Sequence, residues 1–260
     1  MIIANFKSNI VNYPKWVDDF VNSCPPVEFY VGMAPPFINI SDAYPEIEFW
    51  SNRDENDHDM WDMQTGAQDV DYSSGSRTGA ISVEMLEKLR YITFVIIGHS
   101  ERREFFHEDN DLIRKKIHAV NASNLRPILC IGETKEENKE GITKDVLKNQ
   151  LEVIDGLDLS RDFTIAYEPV WAIGSGLTPE PKDINDIHKY IKDVVQSISA
   201  NNLVPDLIYG GSVTNKNAKS FFIEEFVDGA LVGGASLDGS TFGEIVNIWE
   251  RIYSTSGISR

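Results

Sequence analysis

The chain has 260 residues, 42% of them hydrophobic, which is enough for one substantial core at the upper edge of what a single core supports. A formal net charge of −17 excludes general binding to nucleic acid or to an anionic membrane surface, because phosphate neutralisation needs clustered Lys and Arg. No apolar segment approaches the roughly 20 residues that span a bilayer, and the start from Met1 to Asn5 is too short and uncharged for a signal peptide, so a soluble, cytoplasmic protein is expected.

Short apolar or β-branched runs recur in chain order at Ile2 to Asn5, Glu28 to Met33, Thr65 to Gln68, Phe94 to Ile97, Arg126 to Ile131, Thr164 to Tyr167, Leu207 to Tyr209 and Ala230 to Val232. Between most of them lie amphipathic stretches with helical spacing, such as Leu112 to Ala122, Lys144 to Ile154 and Ile184 to Ser199. Strands alternating with helices imply a parallel sheet covered by helices, and eight such units in this length match a closed (β/α)8 barrel. A doubly wound open sheet is the competing architecture, but no GxGxxG follows the first strand. The whole chain, 1–260, is therefore expected to form a single barrel domain.

Two segments break the regular spacing. The acidic stretch Asn52 to Asp62 reads as a solvated surface insertion. The polar loop within Asp69 to Ser82 is too long for a minimal connection, and a protruding loop implies something for it to dock against. Cys24 and Cys130 form neither a disulfide framework nor metal-type spacing, and read as reduced core residues.

The run from Phe163 to Tyr167 ends on Glu168, and Pro169 stops strand pairing where the charge appears, which places one carboxylate at the mouth of the sheet. A rigid Pro169-Val170-Trp171 corner then leads into Gly174-Ser175-Gly176, a loop able to move as a unit and present bare amides to an anion. A lone strand-end glutamate is commonly a surface carboxylate; the adjoining glycine loop and the other charged groups on the same rim favour a general base. After the fourth run, Gly98-His99-Ser100-Glu101-Arg102-Arg103 is expected to open a helix with Ser100 as a cap. The helix start disfavours an imidazolium at His99, which either serves a substrate as a neutral donor or simply bonds the backbone. Asn5 and Lys7 alternate toward one side, and Glu101 is the natural partner for Lys7 unless that lysine is an ordinary surface residue. Tyr209-Gly210-Gly211-Ser212 and Leu231-Val232-Gly233-Gly234 follow the seventh and eighth runs, where barrels of this kind hold phosphate; ligand-free tight turns are the alternative.

Taken together, Asn5-Phe6-Lys7, Gly98 to Arg103, Tyr167 to Gly176, Tyr209 to Val213 and Leu231 to Leu237 resemble the triosephosphate isomerase family over essentially the whole chain. The resemblance implies a TIM barrel that interconverts dihydroxyacetone phosphate and glyceraldehyde 3-phosphate through an enediol or enediolate. A glutamate base beside a neutral histidine is this family's known arrangement. It implies Glu168 as base, His99 as donor to the oxyanion, Lys7 as electrostatic stabiliser, Asn5 as a positioning group, and Ser100 and Glu101 as supports. Phosphate would be held near Gly174, Ser212, Leu231, Gly233 and Gly234, with neither metal nor cofactor. Family members are usually homodimers, and Thr78 matches the threonine inserted beside the neighbour's site. Departures are Phe6 for Trp, Ser175 for Thr, Leu177-Thr178-Pro179 for Lys-Thr-Ala, and Ala80 where a Glu often pairs with the residue matching Arg102. Another sugar-phosphate or indole-type enzyme on the same barrel leaves the joint occurrence of Lys7, His99 and Glu168 unexplained. A catalytically silent homologue would normally have lost one of them.

Overall fold

The computed structural model describes residues 1–27, 29–51, 63–160, 162–173 and 178–256. The acidic stretch Asn52 to Asp62 and the glycine loop Gly174 to Leu177 lie outside the described residues, as does Glu28. Eight parallel strands close into a barrel in chain order: β1 Ile2–Asn5, β2 Val31–Ala34, β3 Met63–Ala67, β4 Ile92–Ile97, β5 Arg126–Ile131, β6 Thr164–Tyr167, β7 Asp206–Tyr209 and β8 Ala230–Val232. Four of them keep the bounds read from sequence. The others shift by one to three residues at an end, because hydrophobicity does not mark where pairing stops.

Helices α1 Tyr13–Ser23, α2 Ile40–Ser51, α3 Val83–Lys88, α4 Ser100–Phe106, α5 Asn110–Asn121, α6 Lys135–Lys139, α7 Thr143–Leu151, α8 Pro181–Ile198, α9 Ala218–Phe222 and α10 Gly239–Ser256 accompany the strands. The longest of them show how sequence sets their ends. Asn12 accepts from the Lys15 amide to start α1, Asp109 from the Leu112 amide to start α5, and Pro181 occupies the first position of α8. Ile184, His188, Ile191 and Val195 form the buried stripe of α8 at helical spacing.

The period-two alternation of the strands divides two cores. Ile3, Phe94, Ile96, Ile128, Cys130, Ala166, Ile208 and Leu231 point into the barrel, while their neighbours Ala4, Val95, Ile97, Leu129, Ile131, Ile165, Tyr167 and Tyr209 pack against the helices. Phe94 fits inside because β2 and β3 offer Gly32 and Gly66. A methyl group on Gly66 would sit 2.2 Å from the Phe94 ring. The same alternation, followed to the last residue of β1 and one residue past β6, sets Asn5 above Ile3 and Glu168 above Ala166, both over the mouth of the barrel. Phe6 is fully buried in the outer layer, edge-on to Trp16 at 5.3 Å between centroids, so the smaller ring is accommodated by aromatic packing.

Candidate active site

Glu168 is 1% exposed, and a buried carboxyl demands partners. Its Oε2 accepts from the backbone N–H of Ser100 at 2.9 Å, and its Oε1 lies 3.0 Å from His99 Nε2. Glycine surrounds it on both flanking strands. A methyl at Gly132, after β5, would come 1.7 Å from the Glu168 carbonyl oxygen, and one at Gly210, after β7, 2.8 Å from its Cγ. The Glu168 carboxyl thus sits in a slot that only glycine neighbours leave open.

Gly98 adopts φ +71°, the left-handed turn that carries the chain from β4 into α4. His99, and not Ser100, is the cap residue of α4: its Nδ1 accepts the backbone N–H of Glu101 at 3.2 Å. An imidazole nitrogen can cap a helix as well as a hydroxyl can, provided it is unprotonated. That bond assigns the ring's tautomer, neutral with its proton on Nε2, facing Glu168. Ser100 contributes through its amide.

Asn5 closes β1, and its Oδ1 accepts from the Lys7 amide at 3.0 Å while Lys7 takes the left-handed φ of 49°. That turn sends the lysine side chain back over the rim. Lys7 Nζ donates to Glu101 Oε1 at 2.6 Å, and Lys7 Cε lies 3.4 Å from where a methyl on Gly233 would be. Gln68, from the end of β3, donates to the Lys7 and Ala34 carbonyls at 2.8 Å each and holds the turn in place. A cavity of about 320 Å³ joins Asn5, Lys7, His99 and Glu168 to the glycine loops, with Ser212, Leu231, Gly233 and Gly234 in its wall. Gly174 lies outside the described residues. Thr78 is exposed on its loop and is not in the wall of its own chain's cavity.

Three groups around the site carry little signal in the sequence. Glu133 is fully buried, accepting from Tyr167 Oη at 3.0 Å, from Trp171 Nε1 at 2.7 Å and from Asn138 Nδ2 at 3.2 Å. Burial pushes its carboxyl above the ordinary range against the pull of those donors. It anchors the Pro-Val-Trp corner, whose far side is tied by the Ser212 hydroxyl donating to the Ala172 carbonyl at 2.6 Å. Arg103 turns inward, donating to the Gly98 carbonyl at 2.9 Å and to Asn110 Oδ1 at 2.9 Å. Lys116 lies on the buried face of α5 and bridges Asp69 and Glu108 at 2.6 Å each, with Arg102 on the same two carboxylates at 2.8 and 2.6 Å. Arg102 is therefore paired inside its own chain. A buried lysine on an apolar stripe could have hinted at this network; of the carboxylates that satisfy it, Glu108 is only 8 residues away but Asp69 is 47 residues away.

A family model described as "TIM: Triosephosphate isomerase" matches residues 1–249. Similar proteins include the triosephosphate isomerase of Legionella pneumophila (strain Paris), 46% identical over 70% of this chain and 74% of the relative. That of Chlamydia felis (strain Fe/C-56) is 40% identical over 87% of each chain, and that of Aquifex aeolicus (strain VF5) 43% identical over 71% of this chain and 76% of its own.

Proposed function

The chain belongs to the triosephosphate isomerase family and interconverts dihydroxyacetone phosphate and D-glyceraldehyde 3-phosphate, a step of glycolysis and gluconeogenesis; from that premise we propose how its residues divide the work. Glu168 removes a proton from the carbon beside the carbonyl and returns it to the neighbouring carbon. The neutral His99 donates its Nε2–H to the oxygen on which negative charge develops, and Lys7 stabilises that charge while Asn5 orients the substrate oxygen. Glu101 keeps the Lys7 ammonium aimed at the cavity, and the Ser100 amide holds the carboxylate between turnovers. Backbone amides near Ser212, Gly233 and Gly234, with Leu231 beneath them, receive the phosphate, and Gly174 completes that set.

The observation that carries this reading is the 3.0 Å approach of His99 Nε2 to Glu168 Oε1 at the edge of a cavity also lined by Lys7 and two glycine loops. One base and one neutral donor, adjacent and aimed at the same space, suit proton transfer between neighbouring carbons. A positioned base contributes about 10²- to 10⁴-fold, roughly 3 to 5 kcal/mol of the barrier, so electrostatics and enclosure supply the rest. The test is glyceraldehyde 3-phosphate isomerisation in a coupled assay beside Glu168→Gln. A loss of about 10²- to 10⁴-fold in kcat is expected. Retention of most activity in the variant would remove Glu168 from the mechanism.

The working form is a homodimer in the cytoplasm, with 1–260 acting as one barrel domain and 52–62 as a surface insertion. Supporting the dimer is a second cavity of about 430 Å³, lined by Lys7, His99, Glu101, Arg102, Phe105 and Phe106 among others, which reaches the catalytic groups from the side. Phe105 and Phe106 are 66% and 61% exposed there, an apolar edge that a partner would cover. The Thr78 loop of a second copy suits it in kind, being protruding and internally braced by Arg77 on Asp71 at 2.8 Å. Cys24 and Cys130 are unpaired and buried, in keeping with a reducing compartment. Among the described residues no helix is long and apolar enough to cross a membrane.

A further inference from the structure

We propose that Gln150 is a positioning residue for the catalytic base, an inference that rests on the assignment of that role to Glu168. Gln150 stands on α7 and is absent from the wall of the cavity shared by Lys7, His99 and the glycine loops, although it borders a neighbouring cavity that Glu168 and Ser100 also line; its side-chain hydrogen bonds go to Gly132. Its Oε1 accepts the Gly132 amide at 2.8 Å, and its Nε2 donates to the Gly132 carbonyl at 2.9 Å. The side-chain amide thus supplies both a donor and an acceptor to one residue, as an adjoining strand would, just where β5 has run out of ladder. The pair of bonds also settles which way the amide points.

What Gly132 holds explains the consequence. Its Cα packs against the Glu168 carbonyl so closely that no methyl group fits between them. Immediately before it, the Ile131 carbonyl accepts the Glu168 amide at 2.7 Å; immediately after it, the Glu133 carbonyl accepts the Val170 amide at 3.1 Å. Gly132 is the centre of a three-residue cradle for the backbone on both sides of the base, and Gln150 pins that centre to a helix. The helix is seated independently by the fully buried Leu147 and Leu151. The preceding residue on α7, Asn149, serves the other half of the pair: its Oδ1 accepts from Asn110 Nδ2 at 3.1 Å, and Asn110 accepts from Arg103, which donates to the Gly98 carbonyl beside His99. One helix therefore references both His99 and Glu168 to the same rigid body, which sets their separation.

A shift of the base by about 1 Å costs on the order of 10²-fold in rate, whereas the phosphate loops after β7 and β8 have no bond to Gln150. Gln150→Met keeps the length and bulk of the side chain and removes both hydrogen bonds. Its kcat is expected to fall about 10- to 100-fold with KM within about twofold of the parent. Gln150→Glu adds a readout that a purely structural role does not move. As a carboxylate it cannot donate to the Gly132 carbonyl; protonated, it can. The ratio of its kcat to that of the parent therefore rises as the pH is lowered from about 7 toward about 4.3, the ordinary glutamate pKa. A Gln150→Met enzyme with kcat within about twofold of the parent, or a flat ratio for Gln150→Glu, overturns the proposal. Glu168→Gln run beside them separates the two assignments. If it stays active, the base is wrong; if it is inactive while the Gln150 variants are unimpaired, only the positioning role is.

Discussion

At the scale of single residues, burial decides which charges exist. His188 on α8 is fully buried, its Nδ1 bonded to the Phe226 carbonyl at 2.9 Å and its ring edge-on to Tyr167 at 5.8 Å. Desolvation lowers its pKa to about 4, against about 6.5 in an unfolded chain. Between those values the unfolded state binds the proton and the folded state does not. Stability is thus unaffected by this group above about pH 6.5 and declines as the pH falls toward about 4; the loss is about 2 kcal/mol at pH 5. Thermal melts from pH 7 to pH 5 should show a steeper decline for the parent than for His188→Asn. Equal slopes would assign the acid sensitivity to other groups. By contrast Lys7 is visible in the sequence as a charge next to a strand, but its left-handed backbone and its partner Glu101, 94 residues away, emerge only on folding.

At the scale of elements, the site is made by strand ends and their glycines. Alternation along β1 and β6 is legible in the sequence, and it carries Asn5 and Glu168 to the inside of the rim without further information. The role of Gly132 and Gly210 is not legible there, because it depends on β5 and β7 flanking β6. Gly210→Ala brings a methyl within 2.8 Å of Glu168 Cγ, and the side chain must move. Its kcat should fall about 10- to 100-fold with KM nearly unchanged and the melting temperature close to that of the parent. A parallel rise in KM would show that the loop after β7, and not the Glu168 side chain, had moved. Pro179 is buried just before Pro181 opens α8, so the segment entering that helix is held by two fixed φ angles. The helix start at His99 shows the limit of pattern reading. Ser100 has the better capping chemistry in the abstract, yet the turn at Gly98 delivers the imidazole instead.

At the scale of the molecule, the proposed dimer interface is where this chain differs from the pattern often found in its family. Ala80 cannot supply the carboxylate that often meets the residue matching Arg102, and here Asp69 and Glu108 satisfy that guanidinium internally. In the proposed dimer, loop insertion and cover of the Phe105 and Phe106 edge would contribute more than one rim ion pair, which is worth at most about 1 kcal/mol. Sedimentation at micromolar concentration should therefore show a dimer, and Phe105→Lys with Phe106→Lys should shift it toward monomer with a loss of activity. A parent that sediments as a monomer while turning over normally would refute the inserted-loop arrangement. The order of eight strands, the alternation that fills the barrel, and the blocks carrying Lys7, His99 and Glu168 were determined by the sequence alone, because local periodicity and short motifs need no partner to be read. Tertiary structure alone decided the tautomer of His99, the burial of Glu133 and Lys116 and the pinning of Gly132 by Gln150. Each of those depends on groups brought together by barrel closure, and the burial of a polar atom has no meaning until its distant partner is in place.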